Sequence, residues 1–457
     1  MVKPADLGRG PGRLMARRGR HQYDRDRYDI PDGPDQGSWR STRTFMRGRF
    51  EAIPKLHEQF GDAFSIDILP GPRTMVVFSD PADIKEIFGA DPSQFHAGEG
   101  NAILKPVMGE HSVLLTDDGA HQRARKLLMP AFTGPAMRGY RPLVEGIAKV
   151  AVDSWHDGEH MMTLERMNSI TLDIILQVVF GVTDEANLAE LRPRVNRMVD
   201  IGPFMLMAWI YPPLSHLPPW RNYFNNQKEV DRLLYAEISD RRAASDLESR
   251  DDVLSRLLRV GEEEGEAPLT DEELRDQLVT LLLAGHETTA SALTWTLHEL
   301  GRHPDLLARA VEAADTGDDA YLEACLKEGM RVHPVIDFVA RTLKSDQVVG
   351  GRRLPKGVTV TPSIMLSHSR EESWADAHRF DPDRFLGGTK VAANTWIPFG
   401  GGVRRCIGAA FSLMEGTVVL REVLQRYEVS ADHPAPNRLR NITNVAGDQA
   451  PLHLKAR

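Results

Sequence analysis

The chain has 457 residues, of which 41% are hydrophobic and 26% charged, so it suits a folded protein with a sizeable core and excludes a fibrous or wholly disordered one. A formal charge of -9 argues against a broadly basic nucleic-acid binder. Its two cysteines, Cys325 and Cys406, cannot build a disulfide framework, an all-cysteine zinc site or a cysteine-ligated iron–sulfur cluster; a thiol that does chemistry does so alone, in a reducing compartment.

Residues 1–40 read as a flexible arm carrying Arg9, Arg13, Arg17, Arg18, Arg20, Arg25 and Arg27. It lacks the apolar stretch of a signal peptide and reads as a solvated leader, with a membrane-surface or partner-binding tail as the other reading. No segment approaches the roughly 20 apolar residues that span a bilayer, so a cytoplasmic protein without a transmembrane segment is expected.

Residues 41–457 read as one domain, mainly α with a smaller β portion at about 50–115 and 335–385. Ala63–Leu69 and Thr74–Phe78 flank Pro70-Gly71-Pro72 as a hairpin-like pair. Asp80 caps a short helix over Pro81–Phe88, and Phe95–Leu115 reads as a loop with Gly98, Gly100 and Gly109. Helical periodicity follows, for example over Leu172–Phe180 and Val230–Arg242. Residues 203–220 set Phe204, Met205, Leu206, Met207, Trp209, Ile210 and Tyr211 among prolines, which suits a mobile apolar lid or a packed helix junction.

The clearest helix opens at a capping box, Thr270-Asp271-Glu272-Glu273, runs to Leu300 and is expected to stop at Gly301, before Pro304. At its centre Gly285, Glu287, Thr288 and Thr289 are poor choices for a buried helix unless the backbone opens or the polar groups have work to do. A polar stripe in water is the plainer account. Beyond Pro334, short strands are expected at Val339–Leu343, Val348-Val349 and Val358–Val360.

Several sites can be discarded. His286-Glu287 has Ala290 where a zinc-protease helix needs its second histidine, and no phosphate-cradling loop or nucleophile elbow occurs. Gly400-Gly401-Gly402 is followed by Arg405 where a dinucleotide fingerprint needs glycine. What remains is Cys406, in Phe399-Gly400-Gly401-Gly402-Val403-Arg404-Arg405-Cys406-Ile407-Gly408. A lone cysteine is usually a small core hydrophobe. Here glycines admit backbone close to the sulfur, Arg404 and Arg405 add positive charge, and a helix beginning at Ala409 points its N-terminus at the thiol. All of this is expected to favour a thiolate.

This stretch matches F-x-x-G-x-R-x-C-x-G, and the chain resembles the cytochrome P450 superfamily of haem-thiolate monooxygenases. Ala284-Gly285-His286-Glu287-Thr288 matches A-G-x-[DE]-T, Glu328-Gly329-Met330-Arg331 matches E-x-x-R, and Arg384 in Phe380-Asp381-Pro382-Asp383-Arg384-Phe385 matches the arginine that completes that network. The resemblance runs from about Phe50 to the C-terminus. It implies the P450 fold, with the long central helix over haem b, and Cys406 as the iron ligand within a haem-binding set that includes Phe399, Gly402, Gly408, Ala284 and Gly285. Gly285 would weaken the helix where dioxygen fits, and Glu287 with Thr288 would order water and deliver protons. His121, Arg125, Arg341 and Arg404 map to the partners of the haem propionates, while Glu328, Arg331 and Arg384 map to a buried structural network. Cys325 is expected to be core packing.

The resemblance further implies insertion of one atom of O2 into a hydrophobic small molecule such as a fatty acid, terpenoid or steroid. Too few residues follow Gly408 for a fused reductase, so electrons from NAD(P)H are expected through a ferredoxin and ferredoxin reductase, or a flavodoxin, with Arg123, Lys126 and Arg405 as a steering patch. The substrate pocket is expected around Phe95–Met108, Phe204–Tyr211, Leu282, Ala284, Val335–Val339, Asn444 and Val445, in a monomer. Peroxide-driven oxidation, isomerisation or coupling, and a haem-thiolate sensor, are the competing readings.

Overall fold

The computed structural model describes residues 20–69, 73–181, 185–199, 212–388 and 390–457. Arg20 is buried, its guanidinium donates to the Gly33 carbonyl at 2.6 Å, and its backbone N–H donates to Asp67 at 2.9 Å. Ser65 N donates to Asp32 O, and Asp29 N to Arg353 O, each at 2.9 Å. Residues 20–37 thus lie against the body of the protein, which corrects the flexible arm expected up to residue 40. The Asp67 carboxylate and the Arg353 carbonyl, both far along the chain, help to hold this stretch, and its local composition does not reveal them. Residues 1–19 lie outside the described residues, as does the lid expected over Phe204–Tyr211.

Helices α1 (Ser38–Arg47) and α2 (Arg49–Phe60) are divided at Gly48, and lead into β1 (Ala63–Ile68) and β2 (Arg73–Phe78), which pair antiparallel as expected. Asp80 caps α3 (Pro81–Gly89) by accepting from Ala82 N and Asp83 N. The stretch expected as a loop from Phe95 is instead a short strand, β3 (Phe95–His96), followed by helical turns at Ala97–Gly100, Ala102–Leu104 and Lys105–Met108. Asp117 accounts for the first of these turns, because its carboxylate accepts from the N–H groups of Ala97, Gly98 and Glu99.

Helix α4 (Asp118–Leu128) precedes β4 (His160–Met162), α5 (Thr163–Phe180) and α6 (Trp220–Ala243). The long helix, α7, spans Asp271–Arg302. Its capping box is present on both sides, Glu273 N donating to Thr270 Oγ1 at 3.2 Å and Thr270 N to Glu273 Oε2 at 2.9 Å. Gly301 lies inside the helix instead of ending it. A Cβ there would sit 3.1 Å from Leu452 and 3.2 Å from the Ala431 backbone, so this glycine serves close packing. Leu278, Leu282, Leu293 and Leu297 of α7 join Leu172, Ile175 and Val179 of α5 in the main core. Each such side chain contributes about 1.5–3 kcal/mol by leaving water.

Helix α8 (Asp319–Val332) leads to β5 (Arg341–Leu343), the hairpin β6 (Gln347–Val349) and β7 (Arg352–Leu354), and β8 (Thr359–Pro362). One sheet runs β1-β2-β8-β5-β3, with β2 and β8 as its parallel pair. Helix α9 (Ala409–Leu424) is followed by β9 (Tyr427–Ser430), β10 (Asn437–Arg440), β11 (Thr443–Ala446) and β12 (Pro451–Ala456). These last strands fall where only helix was expected, so the β portion extends to the C-terminus. They pair locally as β10-β11 and with β4 as β4-β12-β9, and such short segments carry too few residues for a period-two pattern to stand out. Among the described residues no helix is long and apolar enough to cross a membrane.

Candidate active site

Cys406 sits at the end of a tight loop. Its N–H donates to Phe399 O at 2.9 Å, and Gly400 N donates to Ile397 O at 2.9 Å. Gly400 and Gly402 have φ of 65° and 63°, where other residues are strained. A Cβ at Gly401 would lie 2.2 Å from the Phe88 ring, and one at Gly402 would lie 2.1 Å from Phe88 O, so α3 closes directly over the loop. Phe399 meets Trp396 edge-on at 6.0 Å. Gly408 is the N-cap of α9, leaving backbone N–H groups at the thiol.

The thiol is accessible to solvent, yet burial raises its pKa, and this outweighs the lowering by the Gly408 N–H, Arg125 and Arg405. A side chain that is accessible while densely surrounded faces inward. The expectation that its surroundings favour a thiolate is therefore corrected: desolvation outweighs them, and a cation at the sulfur would offset it. Cys325, by contrast, is wholly buried with its thiol pushed up to about 12.

Around this loop the fold gathers three guanidinium groups and an imidazole from three segments. His121 and Arg125 lie one turn apart on α4, Arg341 opens β5, and Arg404 comes from the cysteine loop. Arg404 donates to Thr116 O at 2.6 Å and to Val113 O at 3.2 Å, and pairs with Asp117. Burial, then Arg404, lowers Arg341 to about 10; burial, then Arg404 and Arg125, lowers His121 to about 4. Burial and the neighbouring guanidinium groups thus oppose the charged form of His121, an opposition that an anion held between them would relieve. Arg125 and Arg341 form no ion pair with a carboxylate among the described residues. Guanidinium groups held together with carboxylate charge supplied only on the Asp117 side form a site for an anion.

On α7, Ala284 is exposed in the middle of an otherwise core helix, and Thr288, one turn on, is half-exposed. Thr288 Oγ1 donates to Ala284 O at 2.7 Å, so its oxygen is left to accept. The helix runs without interruption through Gly285. A Cβ there would lie 2.8 Å from Ile175 Cδ1, so this glycine admits α5 and does not weaken the backbone as expected. Glu287 is buried, and its Oε1 lies 3.3 Å from Arg440 Nε on β10. Leu282 is fully buried in the core and so is not pocket wall, and Val445 is buried likewise. Asn444 N donates to Val335 O at 2.7 Å, which brings two of the expected wall segments together.

Two residues escaped the sequence reading. Arg440 reaches Glu287 from far along the chain, with no local pattern to mark it. Glu415, on α9, is buried with neither oxygen hydrogen-bonded in good geometry, beside Thr289, whose hydroxyl donates to Ser412 Oγ at 3.1 Å. Burial holds its carboxyl well above the usual carboxylate range, which favours the neutral acid. A charged residue amid Val418, Val419 and Leu420 on an apolar helix was the available signal.

The E-x-x-R network is fully assembled. Arg331 Nε and Nη2 reach Glu328 Oε2 and Oε1, each at 2.7 Å, with Arg384 Nε at 3.3 Å from Oε1. Arg331 also donates to the carbonyls of His368, Ala377 and Arg379 and stacks 5.2 Å from Trp374.

The cytochrome P450 family model matches residues 36–454. The chain belongs to the cytochrome P450 family. It is 49% identical over 428 residues to cytochrome P450 135A1 of Mycobacterium tuberculosis, covering 93% of this chain and 95% of that protein. It is 40% identical over 435 residues to cytochrome P450 135B1 of Mycobacterium bovis, covering 93% and 92%. A solved cyanobacterial structure, retinoic acid bound CYP120A1, superposes with a TM-score of 0.81 at 23% identity, covering 94% of this chain and all of that one, a likeness of fold.

Membership makes the chain a P450 monooxygenase using haem b and O2. The residues fit that group: an inward-facing thiol that needs a cation and neighbouring arginines that need an anion match an iron and its propionates. The expected steering patch does not survive. Arg123 is bound to Glu273 at 2.6 Å and Lys126 to Glu266 at 3.0 Å, leaving Arg405 exposed without a carboxylate among the described residues. The carboxylates come from the α7 capping box and the turn before it, brought to α4 by the fold.

Proposed function

We propose that this P450 inserts one oxygen atom of O2 into a hydrophobic small molecule, with electrons delivered by a separate carrier of the ferredoxin or flavodoxin type. Bound haem would supply the redox centre, with Cys406 holding its iron and Arg125, Arg341, Arg404 and His121 at its propionates. Phe399, Gly402 and Gly408 shape the loop that presents the sulfur, and Ala284 offers a small face opposite a flat ligand.

The observation that carries this reading is the division of labour along α7. Thr288 presents a hydroxyl oxygen on the half-exposed face, while the buried Glu287 carboxylate is held at Arg440. An alcohol able to accept and pass on a proton, backed by an acid one residue away, is what controlled proton supply to reduced dioxygen requires. Peroxide-driven turnover or a sensing role would not need that pair. Thr288→Ala should keep the red-shifted carbon monoxide band of the reduced protein, abolished by Cys406→His, while product formed per electron consumed falls several-fold. Coupling unchanged in Thr288→Ala would defeat the assignment. A binding screen of fatty acids, terpenoids and steroids against the ferric protein, read by its absorption shift, tests the substrate class.

A further inference from the structure

Helix α1 is a ten-residue helix whose two faces differ in kind. Ser41 and Phe45 are buried, with Phe45 packed on Phe338 at 5.0 Å between ring centroids and joined to Ile53, Phe64 and Ile66 in one cluster. The backbone is pinned as well. Thr42 Oγ1 donates to Ser38 O at 2.6 Å and accepts from Leu69 N at 2.9 Å. The helix is therefore fixed to the sheet and presents its other face in a set orientation.

That outer face carries Trp39, Arg40, Arg43 and Arg47, which the helical repeat places within one arc opposite Phe45. Trp39 is 72% exposed, unusual for an indole in a chain that buries Trp220, Trp295 and Trp374. The three arginines are exposed, and none forms an ion pair among the described residues, although the chain as a whole is acidic at -9. Helix α1 contains no acidic residue, and the exposed Glu51 of α2 takes none of them as a partner. Partly exposed Met46 extends the arc beside Trp39.

We propose that the Trp39/Arg40/Arg43/Arg47 face of α1 docks on an anionic lipid bilayer surface. An indole is suited to the boundary between headgroups and acyl chains, where its ring is apolar and its N–H remains wet. Guanidinium groups bind lipid phosphates in a bidentate manner. Nothing in the face requires nucleic-acid bases or a shaped protein partner, and its single exposed apolar group matches shallow insertion at an interface. The protein would rest on the membrane without spanning it, which agrees with the lack of a long apolar helix among the described residues.

The test is co-sedimentation of the full-length holoprotein with vesicles of phosphatidylcholine, alone or with about one-third phosphatidylglycerol. Binding is expected only to the anionic vesicles and should weaken with salt. Each basic residue at such a surface is worth about a fivefold change in partition, so R40Q/R43Q/R47Q should lose on the order of a hundredfold. Trp39→Ser should lose several-fold on its own. These side chains are exposed, so the thermal midpoint and the carbon monoxide band should be those of the parent protein. Absence of vesicle binding by the parent protein overturns the proposal. So does binding that survives R40Q/R43Q/R47Q and is lost when Arg9, Arg13, Arg17 and Arg18 become Gln, or a face whose loss abolishes binding of a DNA duplex while leaving vesicle binding intact.

Discussion

Glu287 Oε1 and Arg440 Nε lie 3.3 Å apart, tying the middle of the long helix to the C-terminal hairpin. Glu287 is buried, so withdrawing the guanidinium removes one charge partner from its carboxylate in a low dielectric. Arg440→Gln is expected to lower product formed per electron and to alter its pH dependence, whereas Arg440→Lys should restore part of both. An unaltered pH profile in Arg440→Gln would separate this pair from proton supply.

Arg331 commits a charge to the interior of the fold. It spends donors on Glu328 and on three backbone carbonyls, with no exposure on either side chain of the pair. Arg331→Ala strands the Glu328 carboxylate, and such losses cost about 3–5 kcal/mol. Arg331→Lys should recover little, because an ammonium cannot span acceptors arranged for a planar fork. Arg384→Gln should be milder, since its contact is longer, at 3.3 Å. Thermal unfolding of the three variants ranks them.

Burial in the core favours the protonated form of Glu415. Its folded pKa lies above that of an unfolded chain, so its contribution is complete below the unfolded carboxyl pKa and is lost as pH rises toward the folded value. Glu415→Gln keeps the shape without the proton to lose. Urea unfolding at several pH values from about 5 to 8 should therefore fall off less steeply with rising pH in the variant. Equal slopes would show that Glu415 does not titrate on unfolding.

The buried histidines act in the opposite direction. Burial lowers His286 to about 4 and His368 to about 3, and His368 Nε2 accepts from Ile397 N at 2.8 Å. A base depressed in the folded state adds stability above the unfolded value near 6.5, which is lost as pH falls toward 4. His368→Gln should remove one proton from that acid slope, about 1.4 kcal/mol per pH unit. The slope of unfolding free energy against pH measures it.

Haem retention should follow the cation cluster. Arg341→Gln and Arg125→Gln each remove a guanidinium that has no carboxylate partner among the described residues, so haem loss to an acceptor globin should quicken. Arg123→Gln, whose charge is taken by Glu273, should leave retention unchanged.

Local chemistry was written in the sequence. The α7 capping box, the Asp80 cap and the glycines that bend the cysteine loop act over a few residues, so their order along the chain is enough to specify them. The P450 motifs carried the resemblance for the same reason, since each fits within one loop or one helix turn. The end of α7 was misjudged because Gly301 answers to Leu452 and Ala431, which no local pattern contains.

The tertiary structure alone decided the signs and partners. Cys406 has amide and cationic neighbours in sequence, yet burial reverses the balance and raises its pKa. His121 is a possible cation until Arg404 and Arg125 are packed around it, and Arg123 and Lys126 look free until α4 meets Glu273 and Glu266. Desolvation and charge pairing depend on distances of a few ångströms between residues far apart in the chain. Sequence order determines which groups are present; only packing sets how much water and which counter-charge each one keeps.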